Sequence, residues 1–267
     1  MTARQVVEAI DAHLGVPAGP ETVDEFLAGD PDREVRGVAL TMMATLDVLQ
    51  RAAERGLDLV ISHEPLYFSH REEWTGMLQE QADPVHAAKA AFIAEHGLVV
   101  RRLHDAVHEV QPDQVNQGTA RRLGWLELER PGDPGVVFDL PTTTLGELAS
   151  HVAATLRATA LRYVGDPEQS VSVVGIQLGF WGFEHNRALL ARPDVDVLII
   201  GEGHEWETGE YAADAVTAGL AAGMVVVGHI PSEQQGMAEV ARWLAPLLPE
   251  VQVQYLATAD PFRTVSI

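Results

Sequence analysis

The sequence predicts an α/β protein made of two related α/β lobes, with mixed sheets covered by helices and a metal cleft at the strand C-terminal ends between the lobes. Three observations predict it. Short apolar, β-branched runs alternate with segments of helical periodicity along the whole chain. Several of those runs end directly in His or Glu, and this happens in both halves. The 267 residues are long for one domain, and with 46% apolar and 21% charged residues they supply a real core. The expected division is an N-terminal lobe over 1–130 and a C-terminal lobe over 131–267, hinged at Pro131 to Pro134, with residues 195–267 completing the metal site.

The elements follow in order. Val6, Val7, Ile10 and Leu14 share one helical face, so the chain opens with an amphipathic helix that Gly15, Pro17 and Gly19 break. Thr22 with Glu25 has the capping-box spacing and predicts a second short helix. Residues 35–41 read as a strand, 45–55 as a helix stopped by Gly56, and 57–62 as a buried strand. Helix 84–96 ends at Gly97, 98–103 is extended, and 113–123 is helical. Thr144 with Glu147 caps a helix to about residue 157. Strands near 171–177 and 195–200, a helix over 208–222, a strand over 224–227, a helix over 233–245 and a strand over 250–256 complete the chain.

Composition removes several function classes. The formal net charge of −21 disfavours nucleic acid and anionic membranes as partners, because both repel an acidic chain. A small phosphorylated substrate stays compatible when cations reverse the local field. The chain has no cysteine, which removes disulfides, thiolate zinc sites, iron–sulfur clusters and thiol nucleophiles. No secretory apolar block opens the sequence and no run reaches membrane-span length, so the expected compartment is the cytoplasm.

The chemistry-bearing residues sit where apolar strands stop. In open α/β sheets the strand C-termini converge on the ligand crevice. The first place is Ile61-Ser62-His63-Glu64-Pro65, where Pro65 keeps the preceding residue extended and neighbouring side chains diverge. A plain surface turn is the competing reading. The second is His104 to Glu109, where His104 and His108 share a face if the segment is helical. Asp105 and Glu109 are expected to support rather than ligate, and a solvated polar loop is the alternative. The third is Val227-Gly228-His229-Ile230-Pro231-Ser232-Glu233, with Ser232 read as a helix N-cap and Glu233 opening the helix. There an acid that merely complements the helix dipole is the bland reading of Glu233. A weaker fourth place holds Glu202, His204, Glu205 and Glu207, and a charged loop explains it equally well. Phe180 and Trp181 read as packing or interface residues, and His13, His86, His96 and His151 as structural or exposed positions on helices.

Imidazole nitrogen and carboxylate oxygen suit divalent first-row ions. Three histidines and two carboxylates suffice for two ions that keep open positions, about 3.5–4 Å apart, where they activate water and clamp a phosphate or carbonyl. No nucleophile elbow and no Gly-Lys-Thr phosphate loop is present.

The same segments resemble a known family. Gly56 to Leu66 is similar to a strand ending in His-His-Pro-Leu. Leu103 to Gly124 is similar to a His-Thr-Asn-x-Asp motif with its following helix. Val197 to Phe262 is similar to a block running from Thr-Gly-Glu to Gly-His-x-x-Ser-Glu and a closing strand. The family is the NGG-one-interacting-factor-three-like dinuclear metal proteins, often labelled type-two GTP cyclohydrolase I. The resemblance implies that His63, Glu64, His108, His229 and Glu233 bind two divalent ions (Zn, Mn, Fe, Ni or Mg), with His104 lining the cleft. Glu64 stands where the family has a second His, and His108 where it has an Asp, an exchange that keeps the ligand count. The resemblance also implies a homo-oligomer, a hexameric ring or toroid. Two functions are expected from these readings. One is a metal-dependent hydrolase acting on a small phosphorylated or nucleotide-like substrate, with Glu64, Glu233 and His104 as catalytic groups. The other is a non-enzymatic, ring-forming metal-binding scaffold or metal-handling protein.

Overall fold

A computed structural model describes residues 1–16, 19–71 and 73–265. Pro17, one of the expected helix breakers, lies outside the described residues. The chain forms two compact units, 1–115 with 236–258 and 116–235 with 259–267. Residues 131–136, where the hinge was expected, form a turn inside the second unit. Elements are numbered along the chain.

In the first unit, α1 (Ala3–Leu14) buries Val6, Val7, Ile10 and Leu14 and starts on a capping box between Thr2 and Gln5. There follow β1 (Phe26–Ala28), β2 (Gly37–Thr41), α2 (Leu46–Glu54), β3 (Leu59–Ser62), α3 (Thr75–Glu80), α4 (Pro84–His96), β4 (Val99–Arg102) and α5 (Asp105–Glu109). The strand order is β1-β4-β3-β2-β10, where β10 (Gln252–Tyr255) returns late in the sequence. The strands β4, β3, β2 and β10 are parallel, and β1 closes one edge antiparallel to β4. Every residue of β2, β3 and β4 is buried, which is why these strands read as runs without alternation. Val48, Leu49 and Ala52 of α2 pack with Ile93 of α4 on Ala39, Val60 and Val100.

The helix expected from Thr22 and Glu25 does not form. Thr22 Oγ1 accepts instead from the Asp24 amide at 3.2 Å, and the next residues pair with β4 as β1. Asp24 is committed elsewhere: its carboxylate accepts from the amides of His104, Asp105 and Ala106 at 2.5, 3.0 and 2.9 Å. Those are the orphan donors at the start of α5.

The second unit runs from α6 (Gln114–Leu123) through β5 (Val137–Thr144), α7 (Leu145–Leu156), β6 (Arg162–Val164), β7 (Ser170–Gln177), α8 (Gly182–Leu190), β8 (Val197–Ile200), α9 (Glu210–Thr217) and β9 (Gly223–Val226) to the first turns of α10 (His229–Leu247). Its strand order is β5-β7-β8-β9-β6. Parallel β7, β8 and β9 form the centre, and β5 and β6 flank them antiparallel. Leu189, Leu190, Leu198, Ile200, Ala212 and Met224 make its core. Two mixed sheets of the same plan thus bear out the expected α/β class.

Two helix boundaries differ from expectation. The helix expected over 208–222 is a π-helical turn at Glu205–Gly209 followed by α9, which ends at Thr217. Helix α10 begins at His229, so Ser232 lies inside it and is not its N-cap. Gly228, at φ +102°, makes the reversal, and Pro231 sits in the first turn, where its missing N–H costs no bond. No described helix is long and apolar enough to cross a membrane.

Candidate metal centre

The parallel strands of both sheets deliver the candidate residues at their C-terminal ends. In the first unit the ladder of β2 and β3 continues past β3, with the His63 amide on Thr41 O and the Glu64 amide on Met42 O. This seats His63 in the interior at 0% exposure. Strand β4 ends one residue before Leu103, and the turn capped by Asp24 then presents His104 and His108. The three imidazoles meet there. The His63 and His104 rings stack at 4.6 Å, and His108 stands edge-on to each at 5.0 Å. One nitrogen from each of the three lies within 4.8 Å of the others.

Each ring is oriented through Nδ1. His63 Nδ1 lies 3.1 Å from Leu103 O, His104 Nδ1 2.9 Å from Asp105 Oδ1, and His108 Nδ1 2.9 Å from Asp113 Oδ2. A carbonyl or carboxylate oxygen only accepts, so Nδ1 carries the proton in all three. That leaves Nε2 as the ligating atom of each ring. His63 is held neutral: burial first, then the neighbouring His108 and His104, push it well below the ordinary imidazole value. His63 Nε2 and His108 Nε2 face each other at 3.3 Å. Two ring nitrogens at that distance share either a proton or a metal ion. Two nitrogens on one tetrahedral ion at about 2.0–2.1 Å are themselves about 3.3 Å apart, so the pair fits such an ion.

A second group of donors shares His104. Glu64, His70 and His104 also bring one ligand atom each within 4.8 Å. Behind them lies Arg102, 1% exposed. Its Nη2 donates to Glu64 Oε2 at 3.3 Å and lies 3.2 Å from His70 Nδ1, its Nε donates to His63 O, and its Nη1 donates to His70 O. Burial, Arg102 and His104 lower the His70 pKa in that order. Burial works to raise Asp105, but its hydrogen bonds to His104 and the Val23 amide outweigh that and hold it ionised. Asp105 thus supports His104, as expected for it.

In the second unit β9 leads to His229. His229 Nδ1 pairs with Glu202 Oε1 at 2.8 Å and Nε2 with Glu233 Oε2 at 3.0 Å, one turn along α10. Glu233 is buried because it rests over Gly179, where a Cβ would collide with its carboxylate. Gly201 is equally constrained, since a Cβ there would come within 2.5 Å of the Gly179 backbone and 2.6 Å of Ser232 Oγ. Ser232 Oγ donates to His229 O at 2.7 Å and accepts from the Gly179 amide at 3.1 Å. Its role is therefore to lock the turn beneath His229. Of the weaker fourth place, only Glu202 reaches His229 through a direct bond. His204 pairs with Glu207 and stacks on Trp206 at 5.2 Å, and Glu205 pairs with Arg162.

Sequence reasoning missed His70, Asp113 and Arg102. His70 follows Ser69 in a stretch with no strand or helix signal. Asp113 carried a faint cue, a carboxylate five residues after His108 at a helix start. A buried arginine has no sequence signature at all.

The chain is similar to proteins of one family. The profile of the Duf34/NIF3 (NGG1p interacting factor 3) family matches residues 1–261. A Streptomyces coelicolor protein named GTP cyclohydrolase 1 type 2 homolog is 29% identical over 205 residues, 69% of this chain and 68% of its own length. A Clostridium acetobutylicum protein of the same name is 22% identical over 240 residues, 85% of this chain and 83% of its own. The crystal structure of a Bacillus cereus protein related to NIF3 superposes with a TM-score of 0.75 at 16% identity, covering 99% of each chain.

Proposed function

The chain belongs to the Duf34/NIF3 family, and from that premise we propose that it is a dinuclear divalent-metal protein that hydrolyses a small phosphorylated or nucleotide-like substrate. The proposed ligands are His63, Glu64, His108, His229 and Glu233. The observation that carries the reading is the His63–His108 pair, two imidazole nitrogens facing each other at 3.3 Å with both Nδ1 atoms already engaged.

Bound divalent ions supply Lewis acidity and bring water into the neutral range for ionisation. The chain supplies the rest. His63 and His108 hold their donor atoms outward without rearrangement. His104, in ring contact with both and held by Asp105, is placed to carry a proton. Glu64 and Glu233 are the carboxylates that orient water. The guanidinium of Arg102 offsets the charge of Glu64. The three imidazoles suit zinc, iron and nickel, and the two carboxylates also admit manganese and magnesium. The name carried by the curated relatives makes GTP one substrate to assay. A homohexameric ring is part of the same proposal, and light scattering coupled to size exclusion tests it.

Elemental analysis decides the metal reading. About two equivalents are expected in the wild type, with clear loss in His63→Ala, His108→Ala and Glu233→Ala. Full metal content in all three variants would overturn it. Turnover of a phosphorylated-substrate panel that vanishes in His229→Ala supports hydrolysis. A full metal load with no turnover on any substrate supports a non-enzymatic metal-handling role.

A further inference from the structure

Away from the histidine cluster, the first unit carries a groove of about 350 Å³. That volume falls at the small end of ligand sites. Its floor is apolar: Ala90, Ile93 and Ala94 along one side of α4, and Leu98 just beyond. Ala90 and Ala94 are one helical turn apart, so small side chains keep that side of the helix shallow. Asp30 and Arg33 stand on the rim.

Arg33 is the unusual member. Among the described residues its side chain has no ion pair and no hydrogen bond. Its charge is felt by Asp58, but that carboxylate is held by Arg36, so the Arg33 fork of donors is not used there. It lies against the C-terminus of α4, in the space that a Cβ on Gly97 would fill. Gly97 is bare there because the helix ends in a left-handed cap, at φ +59°. The negative end of the helix dipole holds the guanidinium in place without using its fork of donors. Asp30 Oδ1 accepts from the Asp32 amide at 3.0 Å, and among the described residues Asp30 makes no ion pair with Arg33.

We propose that this groove binds a small monocarboxylate with a short aliphatic tail. The carboxylate sits on the Arg33 guanidinium in the two-bond geometry that planar group favours. The tail lies over Ala90, Ile93, Ala94 and Leu98. A phosphate monoester is the weaker fit, because its second negative charge would meet Asp30 at the rim. The site shares no residue with the proposed metal ligands and does not depend on them.

Ligand-observed saturation-transfer NMR on the full-length protein tests it, with hexanoate, hexanamide and acetate as probes. Hexanoate is expected to give saturable transfer, strongest on its terminal methylenes and methyl. Hexanamide, with the same tail and no charge, should bind about tenfold more weakly or worse, and acetate should give none. Arg33→Gln should bring hexanoate down to the amide's level, and Ala94→Trp, an exposed helix position, should abolish both by filling the groove. Ala90→Phe repeats the blockade from one turn away. Equal affinity for hexanamide and hexanoate would overturn the proposal. So would hexanoate binding that survives both groove-filling variants, or the absence of saturable transfer.

Discussion

Replacing Asp113 by asparagine isolates what a carboxylate behind a metal-binding histidine contributes. In the native chain Asp113 Oδ2 accepts from His108 Nδ1 at 2.9 Å, and its Oδ1 accepts from the Val115 amide at 2.7 Å, capping the start of α6. Asparagine has the same shape and is nearly as good a helix cap, so α6 should lose little. Its single carbonyl oxygen, kept on the Val115 amide as the cap, leaves the side-chain NH2 facing His108 Nδ1, so the proton there loses its acceptor and the negative charge that makes Nε2 electron-rich is gone. Outer partners of this kind are worth about 10–100-fold in metal affinity, or about 1.4–2.7 kcal/mol. The assay is competition for Zn²⁺ against a chromophoric chelator, read beside the melting temperature of metal-free protein. The expected result is at least a tenfold weaker zinc affinity with an unchanged metal-free melt. Affinity within about twofold of wild type would refute the reasoning that Asp113 tunes His108 as a ligand.

Other consequences follow from the same geometry. Arg102→Met should destabilise the protein by about 3–5 kcal/mol, because it strands the Glu64 carboxylate; urea melts should show much of this restored in the Arg102→Met, Glu64→Leu double variant. Gly179→Ala should cost about 1–3 kcal/mol, because the new methyl collides with the Glu233 carboxylate at a left-handed backbone position; a thermal melt checks it. The folded-state pKa of His63 lies well below 6.5, so the unfolded chain binds the extra proton first. Stability of metal-free protein is therefore full above about pH 6.5 and is lost as pH falls toward the folded value, a slope that His63→Gln should flatten in denaturant titrations. Stripping bound metal with a chelator should lower the melting temperature, with recovery on adding zinc, as calorimetry would show.

The fold was legible wherever burial on both faces left an uninterrupted apolar run. Val197–Ile200 and Leu59–Ser62 are such runs, and both are central parallel strands. The edges were not legible. Arg162–Val164 is mostly exposed and β5 carries Pro141 and three threonines, so neither has the pattern of a strand, and partner strands rather than propensity decide them. Thr22 and Glu25 have the spacing of a helix start, but tertiary pairing of Phe26–Ala28 with β4 wins over that local preference. At the candidate site, His63, His104 and His108 were legible because each follows an apolar strand, and the structure brings them together. His229 and Glu233 were legible from the strand–glycine–helix transition, and they pair directly. Of the residues that orient them, Asp105 and Glu202 stood out beside the histidines, whereas Asp113 and Arg102 did not. Asp113 and Arg102 act through hydrogen bonds whose partners sit 5 and 38 positions away, and spacing alone does not single out such pairs.

Anchoring His63, His104 and His108 through the same ring atom has a kinetic corollary. An incoming ion would find those three donors already turned toward it, so none of these side chains need swing. The slow event in loading would then be the shedding of the ion's own hydration shell. Ions that exchange water quickly, copper and zinc before nickel, would fill the place in that order whatever their final affinities.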